Sequence, residues 1–214
     1  QAQERSEEKL PIDPNVKVGK LNNGLTYYLR KNVKPEKKVE LRLVINAGSI
    51  LEDDDQQGLA HFTEHMAFNG SANFEKNDII SFLQSIGVEF GADLNAYTGF
   101  DETVYILPIP TDKKENVEKA FQILEDWAGA VAFDPAEIEK ERGVVLEEER
   151  SGRGAEERMF RITYPKMLEG SKYAKRLPIG KTEVLKSFKP EVIRRFYREW
   201  YRPDLMAVVE VGDI

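Results

Sequence analysis

The sequence predicts an α+β fold in which helices pack on one face of a mixed, largely antiparallel sheet. Three observations indicate this class: a hairpin signal near the start, apolar alternation typical of half-buried strands, and helical periodicity from residue 113 onward. With 214 residues, 41% of them hydrophobic, the chain can bury the core of one domain. We expect residues 1–13, a polar run followed by prolines, to be a flexible leader and residues 14–214 to form the domain.

The strands are predicted from alternation and turn chemistry. Residues 22–24, Asn-Asn-Gly, separate two strand-like runs at 16–21 and 25–31, and an Asn-Gly pair is the strongest short hairpin signal. From residue 39 to residue 47, Leu and Ile alternate with Arg and Asn, as in a half-buried strand. Further strands are expected at residues 92–98, 103–108 and 205–211.

The helices are predicted from apolar spacing and capping residues. Asp134 is expected at the N-cap of an acidic helix, with Pro135 at its first position. In the preceding helix Phe121 and Trp127 recur at helical spacing, and we expect both in the core. Other helices are expected around the two histidines and at residues 77–86, 156–168 and 191–200.

Both histidines of the chain lie in one five-residue window, His61-Phe-Thr-Glu64-His65. On a helix the two imidazoles are one turn apart on one face, with Glu64 beside them. Such a pair can bind one Zn²⁺ at about 2.0–2.1 Å, close to a carboxylate that takes a proton from water. Two incidental histidines, one packed and one solvated, are the alternative. The order H-x-x-E-H, the signature of the inverzincins, favours a metal site with Glu64 as general base.

A catalytic zinc site requires a third protein ligand and an open position. Because the chain has no cysteine and no third histidine, the third ligand must be Asp or Glu. In the acidic helix Glu141 and Glu148 are nearly eclipsed at about 100° per residue, whereas Glu147 points away. Glu149 is also near the inner stripe, so periodicity leaves Glu148 and Glu149 both open. Some of these acids are expected to form a solvated helix face.

Four segments taken together resemble one known family. They are the H-x-x-E-H helix within residues 58–70, the segment at 91–98, the E-R-x-x-x-x-x-E motif that begins at Glu141 in the acidic helix, and the closing strand at 206–213. The chain resembles the pitrilysin, insulin-degrading enzyme and mitochondrial processing peptidase family of zinc metallopeptidases over roughly residues 14–214. The resemblance implies an α/β roll with a mixed sheet, Zn²⁺ as cofactor, and a second related domain or subunit that completes the active site.

The resemblance also assigns site residues. It implies His61, His65 and Glu148 as zinc ligands, Glu64 as the catalytic base, and Glu141 as a supporting acid of the catalytic site. The interval from His65 to Glu148 is longer than is usual in the family, which indicates a short insertion within residues 111–133. Glu141 therefore stays an alternative ligand.

The substrate-binding residues are also implied by the resemblance. Asn95 and Ala96 match a strand at a sheet edge, where an extended substrate adds by main-chain hydrogen bonds. The small Ala96 side chain permits close approach, and Tyr97 is expected to be structural. Phe68 matches a residue of the family's substrate pocket, with plain core packing as the alternative.

The predicted function is a zinc-dependent endopeptidase that hydrolyses extended or unfolded polypeptides. Because 214 residues hold no counterpart of the second half, we expect the isolated domain to be inactive or weakly active. The alternatives are a non-catalytic family member that binds a peptide or protein, and metal-dependent hydrolysis of another substrate class.

Charge and hydropathy bear on partners and location. A net charge of −7 argues against nucleic acid as a partner, and no apolar run approaches the length of a membrane span. A polar start without Met predicts a periplasmic or otherwise exported protein, with the cytoplasm as the alternative.

Overall fold

A six-stranded sheet organises the part of the chain that the computed structural model describes, residues 11–88 and 95–213. The strands are β1 (Val16–Lys20), β2 (Thr26–Lys31), β3 (Lys38–Ile45), β4 (Asn95–Thr98), β5 (Thr103–Pro110) and β6 (Met206–Gly212). The helices are α1 (Leu59–Met66), α2 (Asp78–Ser85), α3 (Lys114–Gly129), α4 (Pro135–Ser151), α5 (Ala155–Met167), α6 (Thr182–Ser187) and α7 (Pro190–Trp200).

The strand order is β1-β2-β6-β3-β5-β4. Strands β2 and β6 are parallel, and the other four neighbouring pairs are antiparallel. The last strand therefore inserts between the N-terminal hairpin and β3, and its Val209 is paired with Tyr28 on one side and Arg42 on the other. The predicted mixed, largely antiparallel sheet is confirmed, as is the hairpin of β1 and β2.

The sheet is covered by helices on one face. Along β3, Val39, Leu41, Leu43 and Ile45 are buried, whereas the residues between them are partly exposed. This period of two follows from the pleat of a strand that faces a core on one side only. Trp127 of α3 is fully buried against the sheet, where its ring stacks on Tyr105 at 4.9 Å.

The helix predictions are largely confirmed, with two differences. Asp134 caps α4 as expected, because its Oδ1 accepts hydrogen bonds from the amides of Ala136 and Glu137. Phe121, however, is 38% exposed although it shares α3 with buried Trp127, so its expected core position is wrong. Helix α6 was not predicted. The part of the fourth predicted strand at residues 92–94 lies outside the described residues, as do residues 1–10 of the expected leader.

Candidate zinc and catalytic site

Helix α1 presents the two histidines on one face. Its apolar residues Phe62 and Met66 are fully buried, and Phe62 packs edge-on against Phe188 at 4.9 Å. This packing fixes the rotation of the helix, so that His61 and His65 project together on another side. Their Nε2 atoms are 3.2 Å apart, and the two rings are nearly perpendicular.

Helix α4 brings Glu148 to the same point. Its Oε2 lies 3.7 Å from Nε2 of His61 and 3.4 Å from Nε2 of His65. The ligand atoms of His61, His65 and Glu148 all lie within 4.8 Å of one another. Two nitrogens bound to one tetrahedral zinc at about 2.0–2.1 Å are about 3.3 Å apart, close to the separation of the imidazoles. In both spacing and donor chemistry the three residues fit Zn²⁺.

The other glutamates of α4 have different partners. Glu141 Oε1 lies 2.7 Å from Nδ1 of His65, and its Oε2 accepts a hydrogen bond from Asn69. Glu149, one of the two residues left open by periodicity, is buried between Arg153 and Arg161 at 2.6 and 2.9 Å. Among the glutamates of α4 it is therefore Glu148 that the fold brings to both histidines.

Glu64 lies on α1 beside the histidines and is buried. Its Oε2 accepts a hydrogen bond of 2.7 Å from the hydroxyl of Thr98 at the end of β4. Burial raises the pKa of Glu64, and the bond from Thr98 opposes that shift. A carboxylate whose pKa is raised is a stronger base than an exposed one, and such groups are common among general bases.

The surroundings shift the pKa values of the two histidines in opposite directions. Burial lowers the pKa of His61, and the neighbouring His65 adds to that shift. Burial also disfavours the charged form of His65, but its hydrogen bonds to Glu141 and Glu148 outweigh this and raise its pKa to about 9. The hydrogen bond with His65 in turn lowers the pKa of Glu148. A histidine that binds a metal ion does so as a neutral imidazole, so a metal bound at this site would displace the proton from the Nε2 of His65.

Two of the predicted substrate residues, Asn95 and Ala96, lie in the strand at the edge of the sheet. β4 is the terminal strand in the sheet order, and Ala96 pairs with Tyr105 on its inner side. The backbone of Asn95 belongs to this strand, whereas its side chain lies outside the described part. Tyr97, expected to be structural, is 47% exposed. Phe68 is partly buried and packs against the core, with its ring 5.1 Å from that of Trp127.

Two contacts of the site were not predicted from sequence. Thr98 belongs to the segment at residues 91–98 that resembles the family. Its hydrogen bond to Glu64, however, forms only because the fold packs β4 beside α1. Asn69 follows the histidine motif by four residues, and its amide binds both the carbonyl of His65 and the carboxylate of Glu141. The helical spacing of Asn69 from His65 was the available signal.

The sequence of the chain is similar to a known peptidase family and to curated zinc proteases. The sequence profile of the family described as "Insulinase (Peptidase family M16)" matches residues 27–166. The chain is 45% identical over 208 residues to "Probable zinc protease PqqL" of Haemophilus influenzae, and 46% identical over 195 residues to "Zinc protease PQQL-like" of Arabidopsis thaliana. These matches cover 96% and 91% of this chain but 22% and 20% of the relatives. The chain thus spans about a fifth of their length.

A solved structure shares the fold. The first half of the periplasmic protease PqqL from Escherichia coli matches with a TM-score of 0.91 and 39% identity, covering 96% of this chain and 44% of that one. In the described part of this chain no helix combines the length and the apolar character needed to cross a bilayer.

Proposed function

Because the chain belongs to the insulinase family of peptidases, family M16, we propose that residues 14–214 form the catalytic domain of a zinc-dependent endopeptidase. Its substrates are extended or unfolded polypeptides. The observation that supports this best is the convergence of His61, His65 and Glu148 from two helices, with the buried carboxylate of Glu64 beside them.

Each site residue has a separate task. His61, His65 and Glu148 hold Zn²⁺, which when bound supplies Lewis-acid polarisation of water and of the peptide carbonyl. Glu141 accepts a hydrogen bond from the Nδ1–H of His65, which fixes the tautomer of the imidazole and leaves its Nε2 free to bind the metal. Glu64 takes the proton of the attacking water and returns it to the amine that leaves.

Substrate binding uses the edge of β4. An extended peptide adds there as a further strand, with main-chain hydrogen bonds to β4 that do not depend on the peptide's sequence, and it contacts Asn95 and Ala96. Phe68, which packs beside Trp127 just after α1, is the residue that we propose to line a side-chain pocket for the substrate. Main-chain recognition of this kind favours polypeptides that are unfolded at the cleavage point, because a folded protein has no free strand of that length to offer.

The domain works together with more of the polypeptide. Its curated relatives are about five times as long, and the related E. coli structure is one half of a protease. We propose that a second related domain or subunit closes over the peptide, and that the isolated domain is inactive or weakly active. Since the E. coli relative is described as periplasmic, we propose a periplasmic or otherwise exported location.

The test uses the full-length protein, its bound zinc and an unstructured peptide. Glu64→Gln keeps the size of the side chain but removes the base, so we expect zinc content near normal and a kcat at least about a hundredfold lower. Glu147→Gln is the matched control, because Glu147 is exposed and pairs with Arg150. A wild-type protein that binds zinc and peptide without cleaving would support the non-catalytic binding module instead. Near-normal turnover in Glu64→Gln would remove Glu64 from the proposed role.

A further inference from the structure

We propose that Glu52 is a positioning residue of the zinc site, which it serves by fixing the start of α1. This inference rests on the proposed function. Glu52 is fully buried, and its Oε1 accepts hydrogen bonds from the amides of Gly58 at 3.0 Å and Ala60 at 2.8 Å. The second of these amides immediately precedes His61 in the chain. A single carboxylate oxygen thus holds the first turn of the helix that carries both histidines.

The first turn of α1 has no local side chain to cap it. The first four amides of a helix lack partners within the helix, and Ser, Thr, Asp or Asn at the N-cap normally supplies one. The N-cap of α1 is Gly58, in the left-handed region at φ +101°, with no side chain to offer. Glu52, six residues earlier, takes over that task, because its Oε1 accepts hydrogen bonds from two amides at the helix start.

Burial of the Glu52 side chain at this position is unfavourable for the free energy of folding. Its Oε2 is buried and has no hydrogen-bond partner among the residues described. Burial raises the pKa of Glu52 to about 8, against the effect of its two amide bonds. An apolar side chain of similar size would avoid the desolvation of the unpartnered oxygen. What Glu52 contributes is therefore a defined position of the helix start, which an apolar side chain cannot specify.

The main chain of Glu52 is itself fixed from a distant part of the sequence. Buried Arg176 donates from Nε to the carbonyl oxygen of Glu52 at 2.9 Å, and from Nη2 to Asp54 at 2.8 Å. The carbonyl of Arg176 accepts a hydrogen bond of 2.6 Å from the hydroxyl of Ser49. Arg176 thus binds residues on either side of Glu52 as well as the carbonyl of Glu52 itself. Because this segment is held in place, the carboxyl group of Glu52 has a defined position from which it binds the start of α1.

A backbone contact prevents the start of α1 from moving toward the segment at residues 180–181, which precedes α6. A Cβ added to Gly180 would lie 2.3 Å from the Cα of Gly58, so the two glycine backbones touch. The amide of Lys181 also donates to the carbonyl of Gln57. His61 is in the first turn of α1, so any shift at Gly58 changes the distance between its Nε2 and Glu148. The geometry of the zinc ligands therefore depends on Glu52.

The experiment measures zinc affinity in the full-length protein by competition with a chelator, well below the unfolding temperature of each variant. We expect Glu52→Ala to weaken zinc binding on the order of tenfold, as loss of an outer supporting residue does. Glu52→Gln keeps an acceptor for the two amides and should retain most of the affinity. The visible spectrum of the cobalt-substituted protein gives a second readout, because it reports ligand geometry directly and should change in Glu52→Ala.

The matched control is Asn116→Ala. Asn116 is also a buried polar side chain at the start of a helix, but α3 carries none of the proposed zinc ligands. Zinc affinity and cobalt spectrum unchanged in Glu52→Ala, or an equal loss in Asn116→Ala, would overturn the inference. If Glu52→Ala does not fold, Glu52→Asp decides: its shorter side chain withdraws from the amides, so lower affinity supports the inference and unchanged affinity overturns it. A wild-type protein that binds no zinc would overturn the proposed function itself.

Discussion

Glu141 and His65 are joined by a hydrogen bond of 2.7 Å between Oε1 and Nδ1, on the side of the imidazole away from Glu148. The other oxygen of Glu141 is held by the amide of Asn69, so the carboxylate cannot turn away. A carboxylate on the outer nitrogen of a ligand imidazole fixes its tautomer and makes the inner nitrogen a better donor to a metal.

Glu141→Gln should therefore weaken zinc binding by about 10–100-fold without unfolding the protein, because the amide keeps the size of the side chain but loses its charge. Chelator competition measures this affinity. Glu139→Gln is the control, since Glu139 is an exposed residue of the same helix that pairs with Arg142. An unchanged affinity would show that Glu141 does not support the site. A loss as large as that in Glu148→Gln would instead favour Glu141 as the third ligand.

Glu148→Gln and Glu149→Gln separate neighbouring residues with different surroundings. Replacing Glu148 should reduce zinc affinity by more than the roughly 10–100-fold expected of an outer residue, because a ligand carboxylate contributes its charge to the metal. Replacing Glu149 should leave zinc affinity unchanged but lower the unfolding temperature, because Arg153 and Arg161 lose their buried partner. Zinc titration and thermal unfolding give the two readouts. A larger loss of affinity at Glu149 would contradict the proposed ligand set.

The phase of α4 shows how far sequence reasoning reaches. The period of a helix places Glu141 and Glu148 on one stripe, and the fold brings both of them to His65. Glu149 is only about 100° further around the helix than Glu148. The apolar periodicity of the sequence therefore does not tell which of the two side chains faces the histidines. Part of the distinction depends on Arg161, which lies on another helix, so it is a property of the tertiary structure.

Contacts between segments that are distant in the sequence could not be predicted either, because they too depend on tertiary structure and no local sequence pattern marks them. No sequence pattern predicts the hydrogen bond between Arg176 and Glu52, because the two residues come into contact only when the segment before α6 packs against the segment before α1. Phe121 has the same helical spacing as Trp127, but only Trp127 is fully buried in the folded domain. Short-range rules thus predict the elements and the motif, whereas strand order and supporting contacts depend on packing.

Thr98→Val removes the hydroxyl that binds Glu64 while keeping the shape of the side chain. That hydrogen bond lowers the pKa of Glu64, so its loss should raise this pKa further. Because the base acts in its ionised form, the acid limb of the pH profile of kcat/KM should move to higher pH, and activity at low pH should fall. Thr163→Val is the control, since Thr163 is an exposed residue of α5. An acid limb that stays in place would contradict a role for Thr98 in setting the base.

Glu52 should make the stability of the domain depend on pH. Burial raises the pKa of its carboxyl from 4.5 to about 8, against the opposing effects of two backbone amides and Arg176. Between these pH values the folded protein holds a proton that the unfolded chain has released, so the free energy of unfolding falls as pH rises. The contribution is fully present below pH 4.5 and is lost as the pH rises toward 8.

Glu52→Gln carries no titratable proton and should not show this loss. From pH 5 to pH 8 the wild type should lose on the order of 3 kcal/mol of unfolding free energy relative to Glu52→Gln. Native-state hydrogen exchange of the β3 amides in the full-length protein, with zinc removed, measures the opening free energy of this domain. All other groups titrate alike in both proteins, so the difference between them isolates Glu52. Parallel pH dependences would show that Glu52 is already ionised in the folded protein well below pH 8.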